Sequence, residues 1–496
     1  MSLSLVGLCL VLVIGIYFWN NPLKHGSWFM MRRFINWFPL GMTYAFLYMG
    51  RYNLTVSKNA LGSLMSNQDF GVIFAIGTWV YGLSFIVNGP LVDKIGGKKG
   101  MLIAACGASL ANVALGVLTY LMVTGRLRMN MVVAFSIIYG LNMYFQSYGA
   151  ASIIKVKAYW FHVRERGVFG AIFGTLISFG VYFAFDWGQV VVNLAKANPA
   201  DGGGWLHTVI RRVFASDASA TDATWAAFFI PAAILVFWAL LDWWLIKDTP
   251  EEADFAPFET HDASTGEMDV QLSTMDLLRR VFQSPLMLQI AAIGLCMGML
   301  RSGIMVWYFI FADQVPQFGA EVFLKKWGLL SCLFGILGGF AGGMISDKLF
   351  QSRRGPPAAL FCGLMFVFSV VMTIFLYSSP RLVGLSALLI TTAVIAVHSL
   401  MSGTAAPDFG GRKATATCSG IVDGFVYLGA GLQSFAAGHL IKYSWYWWPG
   451  MLIPAALLGT FFAIRIWHEL PAATRKYIAE VEAKAPTDLI PEKKVG

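Results

Sequence analysis

Twelve apolar runs, each long enough to cross a bilayer, leave this chain little choice of architecture. A helical span needs about 18 to 20 predominantly apolar residues to traverse a hydrocarbon layer about 30 Å thick. Such runs lie near residues 35–57, 70–92, 101–123, 130–154, 167–191 and 223–245, and again near 286–312, 324–346, 357–378, 382–405, 416–440 and 446–467. The expected fold is an all-α membrane protein with twelve transmembrane helices in two six-helix halves, residues 31–246 and 286–468. Composition agrees, with 57% hydrophobic and 13% charged residues, about half the charge of a soluble domain.

The segments outside the runs complete the organisation. Residues 247–285 are polar and proline-bearing, as a loop between the halves should be, and from Ser273 or Thr274 they could form a short interfacial helix with a hydroxyl N-cap. Residues 469–496 form a polar tail. Within residues 1–30, Leu3 to Trp19 is a further apolar segment without a basic n-region or an A-x-A site, so an uncleaved extra N-terminal helix is expected.

The formal net charge of +9 does not point to nucleic acid, because the basic residues concentrate in short segments beside the spans. Lys94, Lys98, Lys99, Lys155, Lys157, Arg353, Arg354 and their neighbours gather on one face, and fewer lie on the other, among them Arg126, Arg128, Lys325 and Lys326. The richer face should be cytoplasmic, which places the central loop and the C-terminal tail on the cytoplasmic side of an inner or plasma membrane. The six cysteines sit in apolar runs with no metal-ligand spacing and read as small core residues. No P-loop, nucleophile elbow or metal motif points to an enzyme, and no cofactor is expected.

A repeat supports the two halves. The second span ends in Gly89-x-x-x-Asp93 followed by Lys98-Lys99, and the eighth in Gly343-x-x-x-Asp347 followed by Arg353-Arg354. Arg164 and Arg166 before the fifth span match Arg412 and Lys413 before the eleventh. Close helix approach at the glycine, a carboxylate at the helix end and a tight basic turn would explain the pattern. In these motifs the chain resembles the major facilitator superfamily. That resemblance implies a major facilitator fold with pseudo-symmetric halves, a midplane site between them and alternating access.

Charges inside the spans point to the site. Arg51 and Arg301 lie deep in the first and seventh runs, where a guanidinium costs roughly 3 kcal/mol on insertion scales. Two such groups in corresponding helices suggest an anion clamp; a structural ion pair is the competing reading. Arginine stays charged and presents parallel donors to phosphoryl oxygens. Tyr44 and Tyr48 lie on the same helical face and could add hydroxyl donors or simply pack. Asp423, near Tyr427 in the eleventh run, could pair with either arginine, couple protons or bind substrate hydroxyls. His398 could contact substrate or be a satisfied core histidine, and Asp186 should be solvated near the external end of the fifth span. The aromatic run Tyr443 to Trp448 fits an external interfacial belt.

The segment Tyr44 to Asn53, the stretch Leu300-Arg301-Ser302-Gly303 with Trp307, and Asn142 to Gly167 with Gln146 resemble the organophosphate:phosphate antiporter family. That resemblance implies that Arg51 and Arg301 bind the phosphate moiety and that inorganic phosphate exchanges for a phosphorylated organic anion of the glycerol phosphate or sugar phosphate type, in a monomer. Phe85 and Ile177 stand where glycerol-phosphate members carry a lysine and a histidine. Two alternatives stay open: a proton-coupled organic anion symporter with Asp423 titrating, and a hexose-phosphate-type receptor that signals to a partner kinase.

Overall fold

The computed structural model describes residues 2–162, 165–198, 204–215, 221–256, 279, 282–318, 322–350, 353–402 and 406–469. Among these there are helices and connecting turns but no strands. A peripheral helix α1 (Ser2–Trp19) precedes six long helices: α2 (Ser27–Ala60), α3 (Asn67–Ile95), α4 (Gly97–Val123), α5 (Met131–Trp160), α6 (Arg166–Tyr182) and α7 (Ala226–Leu245), with a short helix, Trp205–Phe214, before the last. Six more follow: α8 (Pro285–Ser302), α9 (Trp327–Leu349), α10 (Gly355–Ile374), α11 (Pro380–Leu400), α12 (Ala406–Leu440) and α13 (Leu452–Arg465). Both α6 and α8 run on through a π-helical turn, Phe183–Trp187 and Gly303–Trp307, into a further helical segment. The expected interfacial helix from Ser273 or Thr274 and the tail beyond residue 469 lie outside the described residues.

Nine of these helices are long and apolar enough to cross a membrane among the described residues. The described part of α1, Val6–Trp19, is apolar but shorter, and the remaining three, α2, α5 and α12, are less apolar and carry Arg51, Gln146 and Asp423.

The two halves repeat one packing pattern. In the first, α4 packs on α5 and α7, and α3 on α5; in the second, α10 packs on α11 and α13, and α9 on α11. The halves meet along α3 with α12 and along α6 with α9. Glycine permits the closest contacts: a Cβ on Gly82 of α3 would lie 2.8 Å from the Gly424 carbonyl oxygen of α12. The glycines of the repeated motif behave differently, since a Cβ on Gly89 or Gly343 would meet nothing within 4 Å. Close helix approach therefore does not explain that motif in this conformation.

The face at which α2 ends and α3 begins is called here the Asn59 face, and the opposite one the Lys98 face. Inter-half hydrogen bonds seal the former: Asn67 Nδ2 donates to Gln314 Oε1 at 3.0 Å and Gln314 Nε2 to Asn59 Oδ1 at 3.0 Å. Asp186 takes part as well. It is half-buried and accepts the backbone N–H groups of Gly328 and Leu329, so the expected solvated position is corrected. The aromatic belt is also corrected in part: Tyr443, Tyr446 and Trp447 are exposed, but Trp448 is fully buried and donates to the Gly303 carbonyl at 2.7 Å. The π-helical turn displaces that carbonyl from the regular ladder, and the indole supplies a donor.

Cys296, Cys332 and Cys362 are buried as expected, whereas Cys106 is exposed on the outer surface of α4. In α1, Val13 and Tyr17 are buried while Leu8, Val11 and Leu12 remain exposed, so one face of this helix packs on the bundle. Tyr17 Oη donates to the Met30 carbonyl and accepts from Arg33 Nε, which ties α1 to α2.

Candidate functional site

Arg51 and Arg301 are buried, 1% and 9% exposed, on opposite sides of the interface between the halves. Each is bound by a tyrosine from the other half. Arg51 Nη1 donates to Tyr427 Oη of α12 at 2.5 Å, and Arg301 Nη2 donates to Tyr48 Oη of α2 at 3.2 Å. Tyr48 also turns its ring toward Arg51, with the guanidinium carbon 4.9 Å from the ring centroid, so this one residue touches both cations. Arg51 lies over Tyr81 as well, at 4.6 Å. Desolvated contacts of this kind contribute about 2 kcal/mol each and stabilise a charge that the bilayer would otherwise exclude.

A ladder of amides fixes Arg51 from behind. Its Nε donates to Gln146 Oε1 at 3.0 Å, and Gln146 Nε2 donates to Asn142 Oδ1 at 3.0 Å. Asn142 and Asn112 both donate to the Gly50 carbonyl, while Tyr139 Oη donates to the carbonyl of Arg51 itself. These groups hold the backbone of α2 where the guanidinium begins. Two donors remain unused, Arg51 Nη2 and Arg301 Nε, each buried without a hydrogen-bond partner. Among the described residues neither guanidinium has a carboxylate within 4 Å. The ion-pair reading for the arginines, and for Asp423 with them, is therefore not what these residues form.

Asp423 instead faces His398 of α11, with Oδ1 and Nδ1 3.8 Å apart. Tyr44 is buried one turn before Tyr48, with ring centroids 5.7 Å apart. Trp307 sits elsewhere in the packing: its indole N–H donates to Ser434 Oγ and its ring meets Phe70 edge-on. Phe85 packs beside Tyr81, at 5.8 Å between ring centroids. The sequence reading missed Tyr81, Tyr139 and Asn142 as members of this cluster. A signal existed for Asn142, four residues before Gln146 on one helical face.

At the Lys98 face, Asp93 pairs with Lys155 at 3.2 Å, a half-exposed contact of small energetic weight. Asp248, which the sequence did not single out, accepts the Lys98 backbone N–H at 2.7 Å and caps the start of α4. Gly96 supplies the turn with φ of 92°, and a Cβ there would lie 2.3 Å from Asp248 Oδ2. Lys99 is exposed. In the second half, Arg354 Nη1 donates to Ser346 Oγ, which donates in turn to the Arg353 carbonyl. Arg164 lies outside the described residues, and so do the side chains of Arg166, Asp347, Arg412 and Lys413.

Comparison with known proteins identifies the family. The chain is 24% identical over 413 residues to the glycerol-3-phosphate transporter of Bacillus subtilis, covering 81% of this chain and 85% of that one. It is 23% identical over 460 residues to a probable hexose phosphate transport protein of Chlamydia pneumoniae, covering 87% and 90%. Among solved structures, a bacterial homologue of the human lysosomal transporter Spinster, inward-facing and unoccupied, superposes with a TM-score of 0.62 at 14% identity over 92% of this chain and 99% of that one. The Major Facilitator Superfamily profile matches residues 40–434, and with twelve helices in two like-packed halves around a buried polar centre, this multi-pass membrane protein belongs to that superfamily.

Proposed function

We propose that this protein carries a phosphorylated organic anion across the membrane in exchange for inorganic phosphate, with Arg51 and Arg301 as the anion clamp. One observation carries the reading: two buried guanidinium groups, one from each half, keep unused donors and no carboxylate partner among the described residues. Phosphoryl oxygens would satisfy those donors with charge-assisted hydrogen bonds. The relatives named for glycerol 3-phosphate and hexose phosphate support a phosphate ester as the substrate class.

The mechanism is differential stabilisation. Each cation donates to a tyrosine hydroxyl of the opposite half. A bound dianion draws both halves onto itself and releases Tyr427 and Tyr48, so the loaded protein can rock between orientations. A ligand moves such an equilibrium only by its difference in affinity between the states, and obligatory exchange follows if the empty site crosses slowly. The Lys98 face, rich in cations, is cytoplasmic on this reading. The inter-half hydrogen bonds made by Arg51, Arg301, Trp79, Asn67, Gln314 and Asp186 lie between the arginine level and the Asn59 face. The conformation is then inward-facing, in a monomer.

Counterflow tests this. Protein in liposomes loaded with unlabelled phosphate should take up labelled phosphate, and Arg51→Lys or Arg301→Lys should lower the rate at least a hundredfold. Absence of exchange by folded protein would overturn the proposal. Saturable binding of a phosphate ester without flux would then favour a receptor, and pH-driven uptake without phosphate counterflow a proton symporter.

A further inference from the structure

The pair formed by Asp423 and His398 is not explained by an anion clamp. The two side chains come from α12 and α11, keep 19% and 30% of their surface exposed, and face each other across 3.8 Å. That gap is too long for a hydrogen bond. Asp423 Oδ1 and His398 Nδ1 are accordingly both buried polar atoms without a hydrogen-bond partner. Buried polar atoms of this kind are normally satisfied, and here two of them converge on one point.

Their position defines what could lie between them. Asp423 is one helical turn from Tyr427, the residue that holds Arg51, and so shares its face of α12. The helix runs from the Lys98 face toward the Asn59 face, where Gly438 meets Gly71. Asp423 therefore lies on the Lys98 side of the arginines, the side that the inter-half hydrogen bonds leave unsealed. A phosphate held by Arg51 and Arg301 would have the rest of its molecule extending toward this pair.

We propose that Asp423 and His398 form the subsite for the organic part of the substrate and select hydroxylated, otherwise neutral phosphate esters of the polyol or sugar class over esters with a second anionic group. The inference rests on the phosphate-ester reading above. A hydroxyl between the two residues would sit about 2.8 Å from each, donating to the carboxylate and bonding the imidazole nitrogen. A carboxylate there would meet like charge in a site of low dielectric, and the two guanidinium charges are already matched by a phosphate dianion. Among the described residues no further cation pairs with Asp423 to lift that repulsion.

The test is competition against labelled-phosphate exchange in liposomes, with glycerol 3-phosphate, glucose 6-phosphate and 3-phosphoglycerate as probes. The readout is the ratio of inhibitory concentrations within each protein, which is insensitive to the amount of active transporter. In the wild type, at least one hydroxylated ester should inhibit at a concentration tenfold or more below that of 3-phosphoglycerate. Asp423→Asn should bring that ratio to within threefold of one. His398→Gln should weaken the hydroxylated ester about tenfold relative to unlabelled phosphate, and it gives an independent reading if the asparagine variant does not fold. A wild type that prefers 3-phosphoglycerate, or a ratio unchanged in both variants, would overturn the subsite while leaving phosphate exchange intact. Absence of any phosphate exchange would instead remove the clamp reading on which the subsite rests.

Discussion

Asp186, in the π-helical turn that follows α6, caps the first turn of α9 from the opposite half of the molecule, with Oδ1 accepting the Gly328 N–H at 2.8 Å and Oδ2 the Leu329 N–H at 3.1 Å. These N–H groups have no partner within their own helix, and a carboxylate suits the positive end of the helix dipole. On the alternating-access reading proposed above this contact is a latch on the Asn59 face, and opening that face must break it. Hydrogen bonds to a charged group contribute about 1.5 to 3 kcal/mol each, enough to shift a two-state population tenfold or more. Asp186→Ala should raise the fraction open on the Asn59 face by about that factor. Spin labels at the exposed residues Ser63 and Gln317 would report a longer distance distribution, and an unchanged distribution would show that the latch carries no weight.

The hydrogen bond from Arg51 Nε to Gln146 makes a sharp prediction about the clamp. Gln146→Glu places a carboxylate about where the amide oxygen now sits, supplying the ion pair that the site lacks. Exchange should fall at least a hundredfold while thermal stability is kept or raised, because the internal anion competes with phosphate for the same cation. Gln146→Leu should lower both, since it leaves a buried donor unsatisfied at a cost of about 1 to 3 kcal/mol. Equal loss of stability in the two variants would argue that Gln146 acts only in packing.

Much of this was legible in the sequence, and the remainder has a common cause. Long apolar runs report spans directly, and Arg51 and Arg301 stand out because charge in lipid is costly. What could not be read was pairing between helices. Tyr81, Asn142 and Asp186 occur in runs where each reads as a minor interruption, and the groups they meet across the bundle, Arg51, the Gly50 carbonyl and the first turn of α9, lie on other helices. Trp448 shows the same limit, because an aromatic run beside a span has the composition of an interfacial belt whether or not one ring turns inward. The glycine motif failed for another reason: Gly89 and Gly343 are open in this conformation, and on the alternating-access reading proposed above a sequence does not say which contacts belong to which conformation.

A buried ion pair sets the acid limit of the fold. Glu165 accepts both Arg33 Nη1 and Nη2 at 2.9 Å and lies 3.4 Å from His25. Burial pushes its carboxyl up, but hydrogen bonds from His25 and Arg33 and the Arg33 charge outweigh that and bring it down to about 2. The folded value is below the ordinary 4.5, so the stabilisation is complete at neutral pH and is lost as pH falls from about 4.5 toward 2. Detergent-solubilised protein should show a melting temperature unaffected by this pair between pH 8 and about 5. Glu165→Gln should lower it at pH 7, because removing one partner of a buried pair costs about 3 kcal/mol or more, and should remove the acid-limb dependence that Glu165 contributes. An acid limb identical in wild type and variant would assign it to other carboxylates.

Glycine substitutions can separate packing from conformational change. A Cβ at Gly298 of α8 would lie 1.8 Å from the Val426 carbonyl oxygen of α12, one residue from Tyr427. That oxygen is backbone, so the helices must part at the level of the arginine cluster. Overpacking of this kind costs about 1 to 3 kcal/mol or more, and Gly298→Ala should lose most of its monodisperse yield on size-exclusion chromatography. Gly89→Ala and Gly343→Ala meet open space in this conformation and should melt within about a degree of the wild type. If they nevertheless slow exchange, the contact that needs glycine belongs to the oppositely facing conformation. A large loss of stability in Gly89→Ala would instead show that the open space around that residue does not exist in the folded protein.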